Sequence, residues 1–231
     1  PLLLPFIERT VVRQEAEEKG ISIRSAAVAT RMKRLKQLLP TRDNGESLQE
    51  PLSSSSGTNK SRPSPARGAV RATLVAEKMV EDGLSLSRKN LEQRYRECNG
   101  ASYAIREIVT ESATAARRLV GRLRAGAHFG VMLRARSTRP GAWLNLGILP
   151  HIRKGHPYFN KLSGAAQGDL VSFKQGDTYH VAQVLAHRPA EQGEKPSFRQ
   201  FRREQKQLKR LNRARAWVEK LRSEAEIKVN L

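Results

Sequence analysis

Between Thr41 and Pro65 the sequence abandons apolar periodicity, and this break constrains the chain more than any other feature. Asp43-Asn44-Gly45, Pro51, the run Ser53-Ser54-Ser55-Ser56-Gly57 and Pro63-Ser64-Pro65 supply turns and flexibility, with nothing to bury. The stretch reads as a Ser/Pro/Gly linker over 41–67. It divides the 231 residues into a short helical part and a longer mixed one.

Two helical patterns precede the break. Ile7, Val11 and Val12 share one face of the first; Val28, Met32, Leu35 and Leu39 share a face of the second, which Pro40 ends. After the break, Val70, Leu74, Val75 and Met79 form a comparable stripe, and a further helix starts near Ser87. The turns between the paired helices match. Glu18-Lys19-Gly20-Ile21-Ser22-Ile23 and Glu81-Asp82-Gly83-Leu84-Ser85-Leu86 both read acid, variable, Gly, apolar, Ser, apolar. Glycine permits the positive φ that ends a helix, serine caps or turns into the next, and the aliphatics pin the turn to the core. Such a unit is either an ordinary helical hairpin or a helix–turn–helix whose second helix enters a DNA major groove.

A long helix is expected over Ala101–Arg124, with Ile105, Ile108, Val109, Ala116, Leu119, Val120 and Leu123 as its buried stripe. Beyond His128, Val131–Ala135 and Ala142–Leu146 read as strands. Gly168–Phe173 and Tyr179–Leu185, alternating on either side of Gly176-Asp177, read as a β-hairpin. The last segment, from about Ser197 to Val229, is a charged helix whose thin stripe is Leu208, Leu211, Val218 and Leu221. The expected architecture is therefore α+β. It comprises a helical hairpin over 1–40, the linker over 41–67, a helix–turn–helix-like part over 68–126, a small β-rich, barrel-like module over 127–196, and a basic helix over 197–231.

Charge carries the functional expectation. Forty-three Lys+Arg against 22 Asp+Glu give a formal net charge of +21. An excess of that size repels itself unless a polyanion neutralises it, and phosphate backbones are the commonest polyanion. A single cysteine, Cys98, rules out an intramolecular disulfide framework and a cysteine-based zinc site. It suits a reducing location such as cytoplasm, nucleoid or organelle matrix. No apolar run reaches the ~20 residues of a membrane span, and the opening Pro1–Ile7 lacks the basic region of a signal peptide. Asp43, Asp82, Asp169 and Asp177 all sit where turns or caps need them. His151 and His156 flank Arg153 and Lys154, poor company for a divalent cation. The expectation is of a protein that is not an enzyme, with no catalytic residues, metal or cofactor.

The candidate contacts are basic, with an aromatic among them. Lys33, Arg34 and Lys36 lie on the second helix, Arg88 and Lys89 on its counterpart, and Ser102 and Arg106 on the long helix. Arg134, Arg136 and Arg139 lead to Trp143, which could stack on a base or belong to the core. Arg153 and Lys154 form a second patch, and Arg202, Arg203, Lys206, Lys209, Arg210 and Arg213 run along the final helix as an arm for phosphates. Two resemblances bear on this. Ala76–Val109, with Glu81-Asp82-Gly83-Leu84-Ser85-Leu86 and Asn99-Gly100-Ala101-Ser102-Tyr103-Ala104-Ile105, resembles the N-terminal DNA-binding region of plasmid KfrA-type proteins. That resemblance implies that the helix beginning near Ser102 reads DNA. The stretch from Tyr158-Phe159 through Gly168–Phe173 to Ser197-Phe198 resembles PUA/ASCH-like RNA-binding barrels. The sequence thus points to a nucleic-acid-binding protein. It would read DNA through a helix–turn–helix-like unit, or serve as an RNA-binding part of a ribonucleoprotein such as a ribosome, with other proteins of that assembly as further partners.

Overall fold

The computed structural model describes residues 3–39, 65–98, 100–190 and 194–225. Residues 41–64 of the expected linker lie outside them, and 65–67 already belong to a helix. The architecture is α+β: seven α-helices with a four-stranded antiparallel sheet among the described residues.

Helices α1 (Leu3–Glu18) and α2 (Ser25–Leu38) are joined through Gly20. With φ +62° at Gly20, Ile21 N donates to Ala16 O at 2.8 Å, the bond that closes a helix C-terminus over a left-handed residue. Helix α3 (Pro65–Met79) is the hub. Its buried Ala69, Ala72 and Ala76 let other elements approach closely. Val12 and Ala16 of α1 pack there, with Trp143 and Leu144 from the loop before β2. Val28, Met32 and Leu35 of α2 pack on Ala66 and Val70 of α3 and on the sheet residues Ile148 and Leu185. Helix α4 (Arg88–Glu97) starts at Ser87, whose side chain caps Asn90 N, and buries Leu91 against Phe201.

The sheet has the order β2-β1-β4-β3, with β1 Ser102–Thr110, β2 Ile148–Ile152, β3 Leu170–Gln175 and β4 Thr178–Arg188. Strand β1 is central, and every residue after Ser102 is buried. Helices α5 (Ala113–Arg124) and α6 (Phe129–Arg136) cover one face, where Ile108, Leu119, Phe129, Leu133 and Val181 form a compact cluster. The β3–β4 hairpin turns at Gly176-Asp177, pairing Gln175 with Thr178, as the alternation and the Gly-Asp turn predict.

Local structure differs from expectation in three places. The helix expected over Ala101–Arg124 is two elements, strand β1 and helix α5, divided at Ser112, whose hydroxyl caps Ala115 N. The strand expected over Val131–Ala135 is helix α6, capped by His128 Nδ1 accepting from Gly130 N. Ala142–Leu146 is a turn and a short 3-10 segment rather than a strand. There Asn145, Leu146 and Gly147 hold φ of 53°, 58° and 76° in succession. A Cβ at Gly147 would stand 2.9 Å from Leu133 and 3.1 Å from Glu107 O, so only glycine lets this loop close on β1.

Helix α7 (Phe198–Glu224) is 27 residues long, about 40 Å at 1.5 Å per residue. It is not a free arm. Phe201, Glu204, Gln205, Leu208, Leu211, Ala214, Arg215 and Val218 are buried along one face, against α1, α3, α4 and the sheet. Its outer residues also hold the turn between α3 and α4. Lys209 Nζ donates to Ser85 O at 2.5 Å, Arg213 Nη1 to Asp82 O at 3.4 Å, and Arg210 Nη2 to Glu81 at 2.8 Å. The helix–turn–helix-like unit is therefore clamped by α7.

Candidate functional site

A cleft of about 770 Å³ opens between the sheet, α4 and α7. Leu86, Leu91, Leu149 and Leu208 give it apolar walls, and the Gly155–Tyr158 loop closes one end. Arg139, Tyr158 and Arg215 reach its lining from a buried polar network centred on Glu107 of β1.

Each member of that network is placed by a different element. Glu107 projects from the middle of β1. Arg139 arrives from the loop after α6, and its Nη1 donates to Glu107 Oε1 at 3.1 Å. Arg215 descends from α7 and donates from Nη1 to the same oxygen at 3.0 Å. His180 of β4 lies 3.1 Å from Glu107 Oε2 through Nδ1. An ionised carboxylate only accepts, so that ring nitrogen is assigned the proton. Tyr158 Oη stands 3.3 Å from the same nitrogen, and Thr178 Oγ1 3.1 Å from Nε2. Phe173 stacks parallel to His180, with centroids 5.3 Å apart, and fixes the ring plane.

Electrostatics keeps the carboxylate charged. Burial alone would raise the Glu107 pKa, but the His180 hydrogen bond and the charges of Arg215 and Arg139 outweigh it and hold the group at about 2. Burial, then the Glu107 charge, push the Tyr158 phenol up to about 12. Burial pulls the Arg215 guanidinium below its ordinary value, and Glu107 opposes that pull. Two of the N–H-bearing atoms of Arg215, Nε and Nη2, are buried and have no hydrogen-bond partner. The side chain is only 4% exposed and faces the cleft. A buried guanidinium with unmet donors is costly.

Three further buried carboxylates are structural. Glu8 accepts from Trp143 Nε1 at 2.5 Å and from Gly141 N at 3.1 Å. Glu77 pairs with Arg31, and Glu204 takes Arg153 Nε at 2.7 Å and Nη2 at 3.2 Å.

The basic residues singled out in the sequence scatter. Arg139, Lys209 and Arg213 line the cleft. Arg34, Ser102, Arg153, Arg203, Lys206 and Arg210 border a second cleft of about 800 Å³ on another face of α7. Lys33, Lys36, Arg88, Lys89, Arg134, Arg136, Lys154 and Arg202 line neither. Trp143 is 4% exposed and committed to Glu8, so it presents no face to a base. Arg153 is locked to Glu204, and Arg106 lies buried over the Phe129 ring at 4.2 Å. The residues of the network that sequence reasoning missed are Glu107, His180, Tyr158 and Arg215. The available signal was Ile105-Arg106-Glu107-Ile108-Val109, two adjacent charges in an otherwise apolar run that only a strand reading sends to opposite faces.

No protein-family model matches the chain, and no curated protein matches it. Among solved structures it is similar to a peptidylprolyl isomerase (PrsA) from Bacillus anthracis, over 100% of both chains, at 14% identity and a TM-score of 0.38. It is also similar to PrsA from Bacillus subtilis, over 97% of this chain and 82% of that one, at 17% identity and a TM-score of 0.34. With foldase protein PrsA from Streptococcus pneumoniae the figures are 98% and 85%, 15% identity and a TM-score of 0.37. By name the Bacillus anthracis protein is an isomerase and the Streptococcus pneumoniae one a foldase, and none of the names mentions DNA, RNA or a ribonucleoprotein.

The expectations of a non-enzymatic nucleic-acid-binding protein, of DNA or RNA as partner, and of a place in a ribonucleoprotein are at odds with those names and are not kept. The local structure removes their footing as well. The helix meant to read DNA from Ser102 is the central strand of a sheet, and the phosphate-binding arm is a packed helix. At these TM-scores the likeness does not supply the chain's chemistry, which is argued from its own side chains.

Proposed function

We propose that this chain acts on other polypeptides, holding an extended segment in the cleft beneath α7 and easing rotation about an X–Pro bond within it. The observation that carries the reading is Arg215. It is a buried guanidinium, clamped by Glu107, with two N–H-bearing atoms that have no partner among the described residues, on a side chain that lines a cleft walled by leucines. A peptide backbone is a natural occupant, since it brings carbonyl acceptors for those donors and apolar side chains for those walls. The isomerase and foldase names of the similar structures suggest the reaction to test, although they do not argue for it.

The chemistry required is modest. Rotation about a peptide bond faces a barrier of ~18–20 kcal/mol because resonance holds the amide planar. Before proline the two isomers differ by only ~0.5–1 kcal/mol, so the barrier rather than the equilibrium is the obstacle. In the twisted state the lone pair returns to the proline nitrogen and becomes an acceptor. Donors fixed at that spot stabilise the twisted amide more than the planar one. Arg215 and Arg139 are held fixed by their shared bond to Glu107 Oε1, and leucine walls that exclude water strengthen their field. No proton need leave the network, which agrees with Glu107 near 2 and Tyr158 near 12.

The test is the slow, proline-limited refolding of a client protein, followed with and without the chain. The expected result is acceleration of that phase alone. Arg215→Met keeps most of the side-chain volume and removes the donors, and should lower the acceleration by about 100- to 1,000-fold, the scale of losing one fixed donor. No acceleration by the unaltered protein would remove the isomerase half of the reading.

A further inference from the structure

We infer that the cleft selects segments bearing a carboxylate side chain close to the bound X–Pro unit; this rests on the reading of the cleft as a polypeptide site. The argument is one of charge complementarity, and it concerns residues other than the clamped pair on the floor.

Five cations line the cleft: Arg94, Arg139, Lys209, Arg213 and Arg215. Among the described residues, no aspartate or glutamate lines it. The floor is only partly neutralised, because Arg139 and Arg215 share one carboxylate, Glu107, with His180. On the wall, none of the three cations is ion-paired among the described residues. Lys209 and Arg213 spend donors on the backbone carbonyls of Ser85 and Asp82, which fixes their positions and leaves their charge uncompensated. Arg94 has a buried Nε with no hydrogen-bond partner. Glu97 approaches it across the turn at Gly155 without forming an ion pair. His156, beside Arg94, is kept neutral down to about pH 4 by burial and by that arginine, so it adds no charge to the cleft near neutral pH.

The geometry therefore offers two kinds of acceptor sites. The buried donors of Arg215 suit a backbone carbonyl, and Arg94 with the Lys209–Arg213 edge suits an anionic side chain. Arginine forks match a planar carboxylate in two-point contact, and like charges facing one another across a desolvated cleft are strongly disfavoured. A segment with lysine in that place is rejected, and one with glutamate is drawn in.

The experiment uses the full chain and three fluorescent peptides, alike except that Glu, Gln or Lys flanks a single Ala-Pro unit on both sides. Binding is read by anisotropy over a salt series. The Glu peptide should bind at least 10-fold more tightly than the Gln peptide at low salt, and the Lys peptide more weakly than either. The Glu-over-Gln ratio should shrink as salt rises. Arg94→Gln with Arg213→Gln should bring that ratio toward one, and far-ultraviolet circular dichroism confirms that the variant is folded. Equal binding of the Glu and Gln peptides by the unaltered chain would overturn the selectivity and leave the cleft a polypeptide site. If none of the three binds, the polypeptide reading fails and the selectivity with it.

Discussion

Glu107 shows how much a single side chain can commit a structure to. It stands on a central strand, fully buried, and accepts from Arg139, Arg215 and His180. Replacing it with glutamine leaves the buried Arg215 and the half-buried Arg139 short of their counter-charge, a class of change that costs ~3–5 kcal/mol when the pair is buried. We expect Glu107→Gln to lose about that much stability at neutral pH, measured by urea unfolding. The pH dependence has a definite sign. The folded carboxyl titrates at about 2 against an ordinary 4.5, so its contribution is present above pH 4.5 and is lost as pH falls toward 2. That difference is worth about 3 kcal/mol at 1.36 kcal/mol per pH unit. The gap between the unaltered protein and Glu107→Gln should therefore narrow by that amount between pH 4.5 and 2. His156, held at about 4 against 6.5, also weakens the fold as pH falls, but over the window from 6.5 to 4 and in both proteins. A gap that stays constant through acid would show that Glu107 is not clamped as described.

At the scale of elements, legibility followed from how many faces each segment buries. The β3–β4 hairpin has a clear alternation and a Gly-Asp turn, and the sequence alone places it. Strand β1 is buried on both faces and so loses its alternation. Ile105, Ile108 and Val109 then fall by chance at helical spacing, which invites the helix reading. Helix α6 fails the other way, because eight residues give too few turns to show a period. The candidate site suffered most, since Glu107 meets Arg139 and Arg215, which line the cleft, only if β1 is a strand. Helix α7 was legible as a helix but not as a packed one. Its buried face includes Glu204, Gln205 and Arg215, polar residues that break the apolar stripe and find partners only in the folded protein. A direct check on α7 is Phe201, fully buried against Leu91 and Cys98. Phe201→Ala should cost ~3–5 kcal/mol of stability, read from the shift in urea midpoint. A loss below 1 kcal/mol would mean that α7 does not dock on α4.

For the molecule as a whole, one core spans segments far apart in the chain. Val12 and Ala16, Ala72 and Ala76, Ile105 and Leu149, and Leu211 and Val218 belong to a single cluster, drawn from both termini and the sheet between them. Residues on either side of the 41–67 stretch thus share that core instead of forming separate units. The expected consequence is cooperative unfolding, with tryptophan fluorescence and far-ultraviolet circular dichroism superimposing. Deleting residues 197–231 should abolish the native near-ultraviolet spectrum rather than trim a tail. Persistence of a folded remainder would refute the shared core. The positive excess also reads differently in three dimensions. Glu8, Glu77, Glu107 and Glu204 are drawn inside to hold interior arginines and Trp143, so the acids left outside are fewer than composition suggests.

The descent of Arg215 from α7 onto Glu107 also sets an order of events during synthesis. Every strand of the sheet, and the loop carrying Arg139, precedes α7 in the chain. A nascent chain that has made all of them still lacks the guanidinium that completes the cleft floor and the helix that roofs it. The cleft is therefore closed only after α7 has followed the sheet out of the ribosome, so a copy that stops short of α7 has the strands without the floor and roof.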